Sequence, residues 1–464
     1  MDQGNDKMLY TAALAVSLTT MVGGMFLAWT SPMLPILLAD DSPVPMTKDQ
    51  STWIVSFLFL GILLSTVPTG FLGTRLGSKR VLLCSIAPAV MSTELSAAAT
   101  SFPMLLISRL LAGISVGMCM TMTPSYLTDI ARDENRGLMG LISHVNMNVG
   151  SLIAYSVGPY LEFRIYQLLC SIVPIIFLVI FVWMPESPYF LLTSGRRDEA
   201  ARTLATLRGH KDTVAVQHEL DQMVMHIGLK ENSKGKFRDL FSTKGNRLAF
   251  ANLILLISTM VLSGHGVIIS YAGMIFKESG NSLNPEASTI ILGTVQLISN
   301  FSATFVVDKF GRRPLIIISA LGMAISLAPE IIYFSLKGQT DTSDFGWVPL
   351  VFLILYVIMY SIGLGAVPMI IISELFPINV KEIALAIGAL LGGGLAFVIT
   401  EIYLIMAQNL GLESSFLLSA VCCGVGTIFL YIYLPETKGK SLAEIQAILN
   451  GKKNALETSE SAYI

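Results

Sequence analysis

The sequence predicts an all-α integral membrane protein of about twelve spans, and three observations carry that expectation. Of its 464 residues 53% are hydrophobic and only 13% charged, too little polar surface to cover a soluble core of this size. Apolar runs of about twenty residues recur along the chain, the length a helix needs to cross a hydrocarbon layer of roughly 30 Å. Lys and Arg collect in alternate connections instead of spreading evenly.

The spans fall near 9–28, 52–72, 81–100, 104–125, 137–159, 166–184, 248–270, 287–307, 315–336, 348–373, 383–405 and 414–434. On these boundaries Arg75, Lys79 and Arg80, then Arg132 and Arg136, the segment 186–247, Lys309, Arg312 and Arg313, Lys381 and the C-terminal segment share one side. Lys48, Arg164, Lys277 and Lys337 fall on the other, and Arg109 lies within a span. The positive-inside bias assigns the basic side, with both termini, to the cytosol of a multi-pass protein, with the plasma membrane as the expected location. The start, MDQGNDK, lacks the basic region and cleavage site of a signal peptide, so the first span is expected to be retained. Cys84, Cys119, Cys170, Cys422 and Cys423 all fall in apolar spans without metal-ligand spacing and read as small packing residues. Asn300-Phe301-Ser302 matches a glycosylation acceptor but lies within a span.

The charged segment divides the chain into an N-terminal six-helix bundle (1–185), a helical cytosolic linker (186–247), a C-terminal six-helix bundle (248–434) and a cytosolic tail (435–464). Within the linker, SGRRDEAARTLATLRG and QHELDQMVMHIG have amphipathic helical spacing, the second with Leu220, Met223, Val224 and Ile227 on one face. Three polar cassettes then occur in the same order on both sides of it. RLGSKR (75–80) is answered by KFGRRP (309–314), Asp129 with Arg136 by Glu374 with Lys381 at the same spacing, and MPES (184–187) by LPET (434–437). Three matches in order indicate a duplication. All lie at basic span ends, which predicts halves related by a pseudo-two-fold axis along the membrane normal, with a solute site between them.

RLLAGISVG (109–117), PSYLTDI (124–130) followed by RG (136–137), PESPYFLL (185–192) with GRRDEA (195–200), DKFGRRP (308–314), SELFP (373–377) and PETKGKSL (435–442) resemble the sugar porter branch of the major facilitator superfamily, nearly end to end. TSP (30–32) is also similar to insect facilitated trehalose transporters. The resemblance implies the twelve-helix major facilitator fold, alternating access, and a gate of salt bridges at the basic span ends. Asp129 and Glu186 would pair there with Arg75, Lys79 and Arg136, and Glu374 and Glu436 with Arg312, Arg313 and Lys381, with Asp308 beside the helix that follows it. Thr74 stands where the family is commonly acidic.

A sugar site needs many hydrogen-bonding groups, because each hydroxyl stripped of water needs a new partner. The resemblance places that site around the seventh span, and there the chain departs from the family's pattern. Met260, Val261 and Gly266 occupy amide positions, Met369 a tryptophan position, Gly392-Gly393 an Asn-Trp position and His144 a glutamine position, which leaves Gln296 as the main amide of the second half. The candidate substrate-binding residues are therefore His144, Asn148, Ser263, His265, Tyr271 and Gln296, with Asn146 also polar at membrane depth. For His265 two readings stand, a helix-packing hydrogen-bonder and a solute ligand. Ser263-Gly264 matches the family's helix break.

Proton-coupled relatives carry an acid in the first span near Gly23-Gly24, where this chain has Met25-Phe26-Leu27. Glu94, Glu330 and Glu401 lie in the outer thirds of their spans, where a carboxylate is expected to snorkel to water. The expectation is a facilitative uniporter of a sugar or small polyol. The alternatives are a transport-incompetent sugar sensor, which a long signalling tail would favour over the short 435–464, and a carrier of a less polar solute, which fits Met260, Val261 and Met369. No phosphate loop, metal cluster or nucleophile–base arrangement stands out, so no enzyme activity, cofactor, metal or nucleic-acid partner is expected. The expected partners are a small-molecule substrate and the lipid bilayer, with the monomer as the working unit.

Overall fold

The computed structural model describes residues 6–132, 134–232, 235–280, 283–337 and 339–450, and every regular element among them is helical. In hydrocarbon this is the arrangement that satisfies each backbone N–H and C=O within its own segment. The first span is α1 (Lys7–Ala28) and α2 (Thr30–Leu37), which meet at Trp29; α3 (Lys48–Leu76) is the second. The third is α4 (Ser78–Cys84) and α5 (Ile86–Ala97), and α6 (Phe102–Ile130), α7 (Arg136–Val157) and α8 (Phe163–Phe181) complete six. Shorter helices α9 (Pro188–Thr193), α10 (Arg197–Arg208) and α11 (Gln217–Asn232) follow. Next come α12 (Lys244–Leu262) with α13 (His265–Ser279), then α14 (Pro285–Phe310), α15 (Arg312–Lys337), and α16 (Val348–Ile362) with α17 (Val367–Leu375). The last are α18 (Ile378–Leu410), α19 (Leu412–Tyr433) and the short α20 (Leu442–Leu449). Among the described residues, 10 helical stretches are long and apolar enough to cross a membrane. The broken α4–α5 and the more polar α7 complete the twelve in chain order.

The chain packs as two compact units. The first is the chain up to Asn232 with Ile269–Ile275 and Pro285–Gly293; the second is Ser233–Ile268, Phe276–Asn284 and the chain from Thr294 onward. Within the first, α1 packs along α7 and α3 along α6. Helices in lipid gain little from apolar burial and associate where small residues let backbones approach. Gly24 meets the backbone of Met147 on α7, and Gly61 and Gly113 face each other between α3 and α6. Ile269–Ile275 belongs here because the Gly273 N–H donates to Ser31 Oγ at 2.9 Å and Tyr155 Oη donates to the Ile269 carbonyl at 3.4 Å.

The linker helices form a small core from Leu191, Ala200, Leu204, Val216, Leu220 and Met223. Of the face read from the sequence, Leu220 and Met223 are buried in this core and Ile227 is half-buried, while Val224 is instead 40% exposed. Leu207 enters the cluster at the basic end of the bundle. Beside it Arg208, only 1% exposed, donates to the Ile130 carbonyl at 2.9 Å and to Glu219. In the second unit, α15 packs on α16 and α19, and α12 on α18 and α19. The segment read as a plain tail contains α20, opened by a Ser441–Glu444 capping box. Gln446 Nε2 donates to the Leu375 carbonyl at 2.7 Å, and Asn450 Oδ1 accepts from the Gly245 N–H at 2.8 Å. The helix thus satisfies the end of α17 and the start of α12, groups that no helix can pair internally.

Candidate functional site

The seventh span breaks where the sequence places Ser263-Gly264. Gly264 has φ +83°, a left-handed conformation cheap only for glycine, and a Cβ there would overlap Ser419 Oγ. The Ser263 carbonyl, close to the break, accepts from Tyr356 Oη at 3.0 Å, while Ser263 Oγ donates to the Met260 carbonyl at 2.7 Å. His265 opens α13 and lies flat on Tyr360, with ring centroids 3.6 Å apart and planes inclined by 8°. Its Nδ1 and the Oε1 of Gln296 on α14 are buried without a hydrogen-bond partner among the described residues. Ser263, His265 and Gln296 therefore lie in the second unit, two of them with hydrogen-bonding capacity unspent at membrane depth. Tyr356 and Tyr360 were missed from the sequence, although their i,i+4 spacing in YVIMY puts both on one helical face.

His144, Asn148 and Tyr271 lie in the first unit. His144 is exposed, Asn148 is buried with its Nδ2 donating to the His144 carbonyl at 2.9 Å, and Tyr271 is buried. Arg109, 2% exposed, was left in its span by the sequence without a role. Its Nε donates to the Ile54 carbonyl at 3.2 Å, its Nη2 to the Phe26 carbonyl at 3.0 Å, and its guanidinium lies 4.7 Å from the centre of the Trp29 ring. Trp29 is held in turn by Nε1 donation to Gln167 Oε1 at 2.9 Å. Met25-Phe26-Leu27 thus offers this arginine a carbonyl in place of a carboxylate.

The duplicated cassettes build the same carboxylate cap on backbone N–H groups twice, a use of the glutamates that their spacing did not suggest. Gly77 and Gly311 both turn the chain at φ +89° into α4 and α15. Glu186 then accepts from the Lys79 N–H at 3.1 Å and the Ser187 N–H at 3.0 Å. Glu436 accepts from Arg312 and Arg313 N–H, both at 3.1 Å, from Thr437 N–H at 3.0 Å and from Lys438 N–H at 2.8 Å. Each carboxylate sits at a helix N-terminus, where unpaired donors and the helix dipole favour an anion. Lys79 Nζ donates to the Val182 carbonyl at 2.8 Å, not to a carboxylate, and Arg75 stacks over Phe71 at 4.3 Å. Asp129 accepts from Ser187 Oγ at 2.6 Å. Arg313 Nη2 donates to the Tyr431 carbonyl at 2.5 Å. The expected pairing of Arg312 with Glu374 is present at 3.6 Å. Arg136 opens α7 and Lys381 lies in the first turn of α18; the Asp308 side chain is outside the described residues.

The two glutamates are tuned in opposite directions. Burial holds the Glu186 carboxyl above its ordinary range, against the Ser187 and Lys79 amides and the Lys79 and Arg80 charges. Burial also pushes Glu436 up, but its four backbone donors outweigh that and hold it below. A raised carboxyl contributes stability that is complete below its unfolded value of about 4.3 and lost as pH rises through the folded one. A lowered carboxyl contributes above that value and loses it as pH falls. Glu186→Gln is therefore expected to flatten the stability profile on the alkaline side of about pH 4.3, and Glu436→Gln on the acid side. Thermal unfolding in detergent across that range checks this, and identical profiles for the two variants would refute it.

The sequence pattern of the family described as "Sugar (and other) transporter" matches residues 10–449. The facilitated trehalose transporter Tret1 of Apis mellifera ligustica is 33% identical over 94% of this chain and 87% of its own length. That of Culex quinquefasciatus is 31% identical over 95% and 86%. The xylose transporter XylE from E. coli, solved in an inward open conformation, superposes with a TM-score of 0.78 at 22% identity, covering 95% of this chain and 99% of that one, a likeness of fold. These relatives are transporters, not enzymes. With its helices, its duplicated cassettes and its broken seventh span, this multi-pass membrane chain belongs to the family of sugar (and other) transporters.

Proposed function

We propose that the protein carries a sugar or related small polyol down its gradient by alternating access, as a single chain. The observation that carries this reading is unspent hydrogen-bonding capacity at membrane depth in the second unit: His265 Nδ1, beside the Gly264 break, and Gln296 Oε1 on α14 are buried without a hydrogen-bond partner among the described residues. A buried polar atom without a partner costs about 1–3 kcal/mol, a cost that solute hydroxyls would remove. The flat Tyr360–His265 stack supplies an apolar face beside these groups, as a pyranose ring would require. His144, Asn148, Ser263 and Tyr271 complete the proposed ligand set. The cassette charges Arg75, Lys79, Asp129, Arg136, Glu186, Asp308, Arg312, Arg313, Glu374, Lys381 and Glu436 form the proposed gate. We assign the basic span ends and both termini to the cytosol of a plasma-membrane protein, on the distribution of Lys and Arg.

Trehalose is the first solute to test, since the relatives named above are called trehalose transporters. Purified protein in liposomes is expected to exchange labelled trehalose or a monosaccharide in counterflow. His265→Ala is expected to raise the half-saturation concentration about tenfold, the equivalent of one lost hydrogen bond to solute. Exchange restricted to apolar solutes would move the assignment to the less polar carrier that Met260, Val261 and Met369 fit. No exchange of any solute would overturn transport.

A further inference from the structure

The acidic residues of the outer spans do not share one environment. Glu94 is exposed, as snorkelling requires, but Glu330 on α15 is 0% exposed. It continues the buried face of Ser319, Met323, Ser326 and Leu327, the face that packs into the second unit. Both its carboxylate oxygens are buried without a hydrogen-bond partner among the described residues. So is the phenol oxygen of Tyr403 on α18, 1% exposed, whose ring packs edge-on against Phe416, which in turn packs against Phe334 one turn beyond Glu330.

We propose that Glu330 and Tyr403 form a proton-binding site inside the second unit, in which Glu330 is carried as the neutral acid. An unpaired carboxylate in this setting costs several kcal/mol, so the site must hold a proton or a cation. The neighbouring groups decide between them. On the elements packed against α15, the titratable or charged residues are Tyr356 and Tyr360 on α16, Glu374 on α17, Glu413, Cys422, Cys423, Tyr431 and Tyr433 on α19, and the exposed Lys277 and Glu278 at the end of α13, which meets α15 where Ser279 accepts from Tyr333. Tyr403 stands on α18 with Glu401 two residues before it. None of α16, α17 and α19 carries a Lys or Arg. Lys337 lies seven residues beyond Glu330, about 10 Å along the helix. Glu330 supplies two unpartnered oxygens and Tyr403 one. A dehydrated metal cation needs about six oxygen ligands, and a proton needs one acceptor. The site takes the proton. Ionisation releases it to water and leaves a carboxylate that the packed unit cannot solvate, so loss of the proton loosens the packing of α15, α18 and α19.

The readout is independent of transport. Infrared spectra of the purified protein at neutral pH are expected to show the C=O stretch of a protonated carboxyl. That band should vanish in Glu330→Gln, shift in Tyr403→Phe and persist in Glu94→Gln. Because Glu330 binds its proton in the folded state and releases it on unfolding, wild-type stability should fall as pH rises above the unfolded carboxyl value of about 4.3, while the Gln variant, which copies the neutral acid, stays level. No acid band in the wild-type protein, or parallel stability profiles, overturns the proposal. Where Glu330→Gln fails to fold, the shift in Tyr403→Phe assigns the band, and its absence from the wild-type protein overturns the proposal.

Discussion

Gly113→Ala is expected to yield a protein that aggregates on extraction or unfolds far below the wild-type temperature. Gly113 lies in the RLLAGISVG segment at the crossing of α3 and α6, and the methyl it lacks would overlap the Leu58 carbonyl oxygen and press on the Gly61 Cα. Both obstacles are backbone, so no side chain can swing away and the helices must separate. Separation forfeits the close backbone contact on which association in lipid depends. Overpacking an interior costs about 1–3 kcal/mol when side chains can adjust, and here the loss should reach or exceed the top of that range. Gly70→Ala on α3, where a Cβ meets nothing within 4 Å, is the matched control and should behave as wild type. Size-exclusion profiles and unfolding temperatures of the two variants make the comparison. Equal behaviour would show that α3 and α6 have room the structure denies them.

The spans were legible in the sequence because their determinant is local: twenty apolar residues make a helix in lipid whatever surrounds them. The linker helices were legible from their 3.6-residue period for the same reason. The misses share a dependence on partners distant in the chain. α20 is held by bonds to Leu375 and Gly245, residues more than a linker away. Val224 shares the period of Leu220 and Met223, and only the placement of α9 and α10 decides which part of that stripe is covered.

At the site the contrast is sharper. The Ser263-Gly264 break was legible only through the family resemblance, since Ser and Gly inside an apolar run serve close helix packing as readily as a break. The cassettes could be read as charges but not as caps. Spacing suggests side chains pairing with side chains, whereas Glu186 and Glu436 serve helix N-termini that only folding brings to them. Glu330 illustrates the limit. Its depth in the span suggested an escape to water, but escape depends on which face of α15 meets its neighbours, and that face is the buried one.

Glu436→Ala should then be the more damaging of the two cassette truncations, with Glu186→Ala the milder. The carboxylate at 436 joins three things at once: the first turn of α15, the Gly311 turn before it, and the chain leaving α19 through Thr437 and Lys438. Its removal strips four N–H groups of their acceptor and takes an anion from a helix N-terminus, together about 2–4 kcal/mol after water replaces part of the loss. At 186 only two N–H groups lose theirs, and burial already disfavours the charge. Amide hydrogen exchange reads the difference locally. The amides of Arg312, Arg313, Thr437 and Lys438 should exchange about 30- to 900-fold faster in Glu436→Ala, in line with that loss, and those of Lys79 and Ser187 should not change. Glu436→Gln, which keeps one acceptor oxygen, should restore much of the protection. If Ala and Gln behave alike, the carboxylate acts through its charge on Arg312 and Arg313, as the side-chain salt-bridge reading holds, and not as the cap that ties α15 to the end of α19.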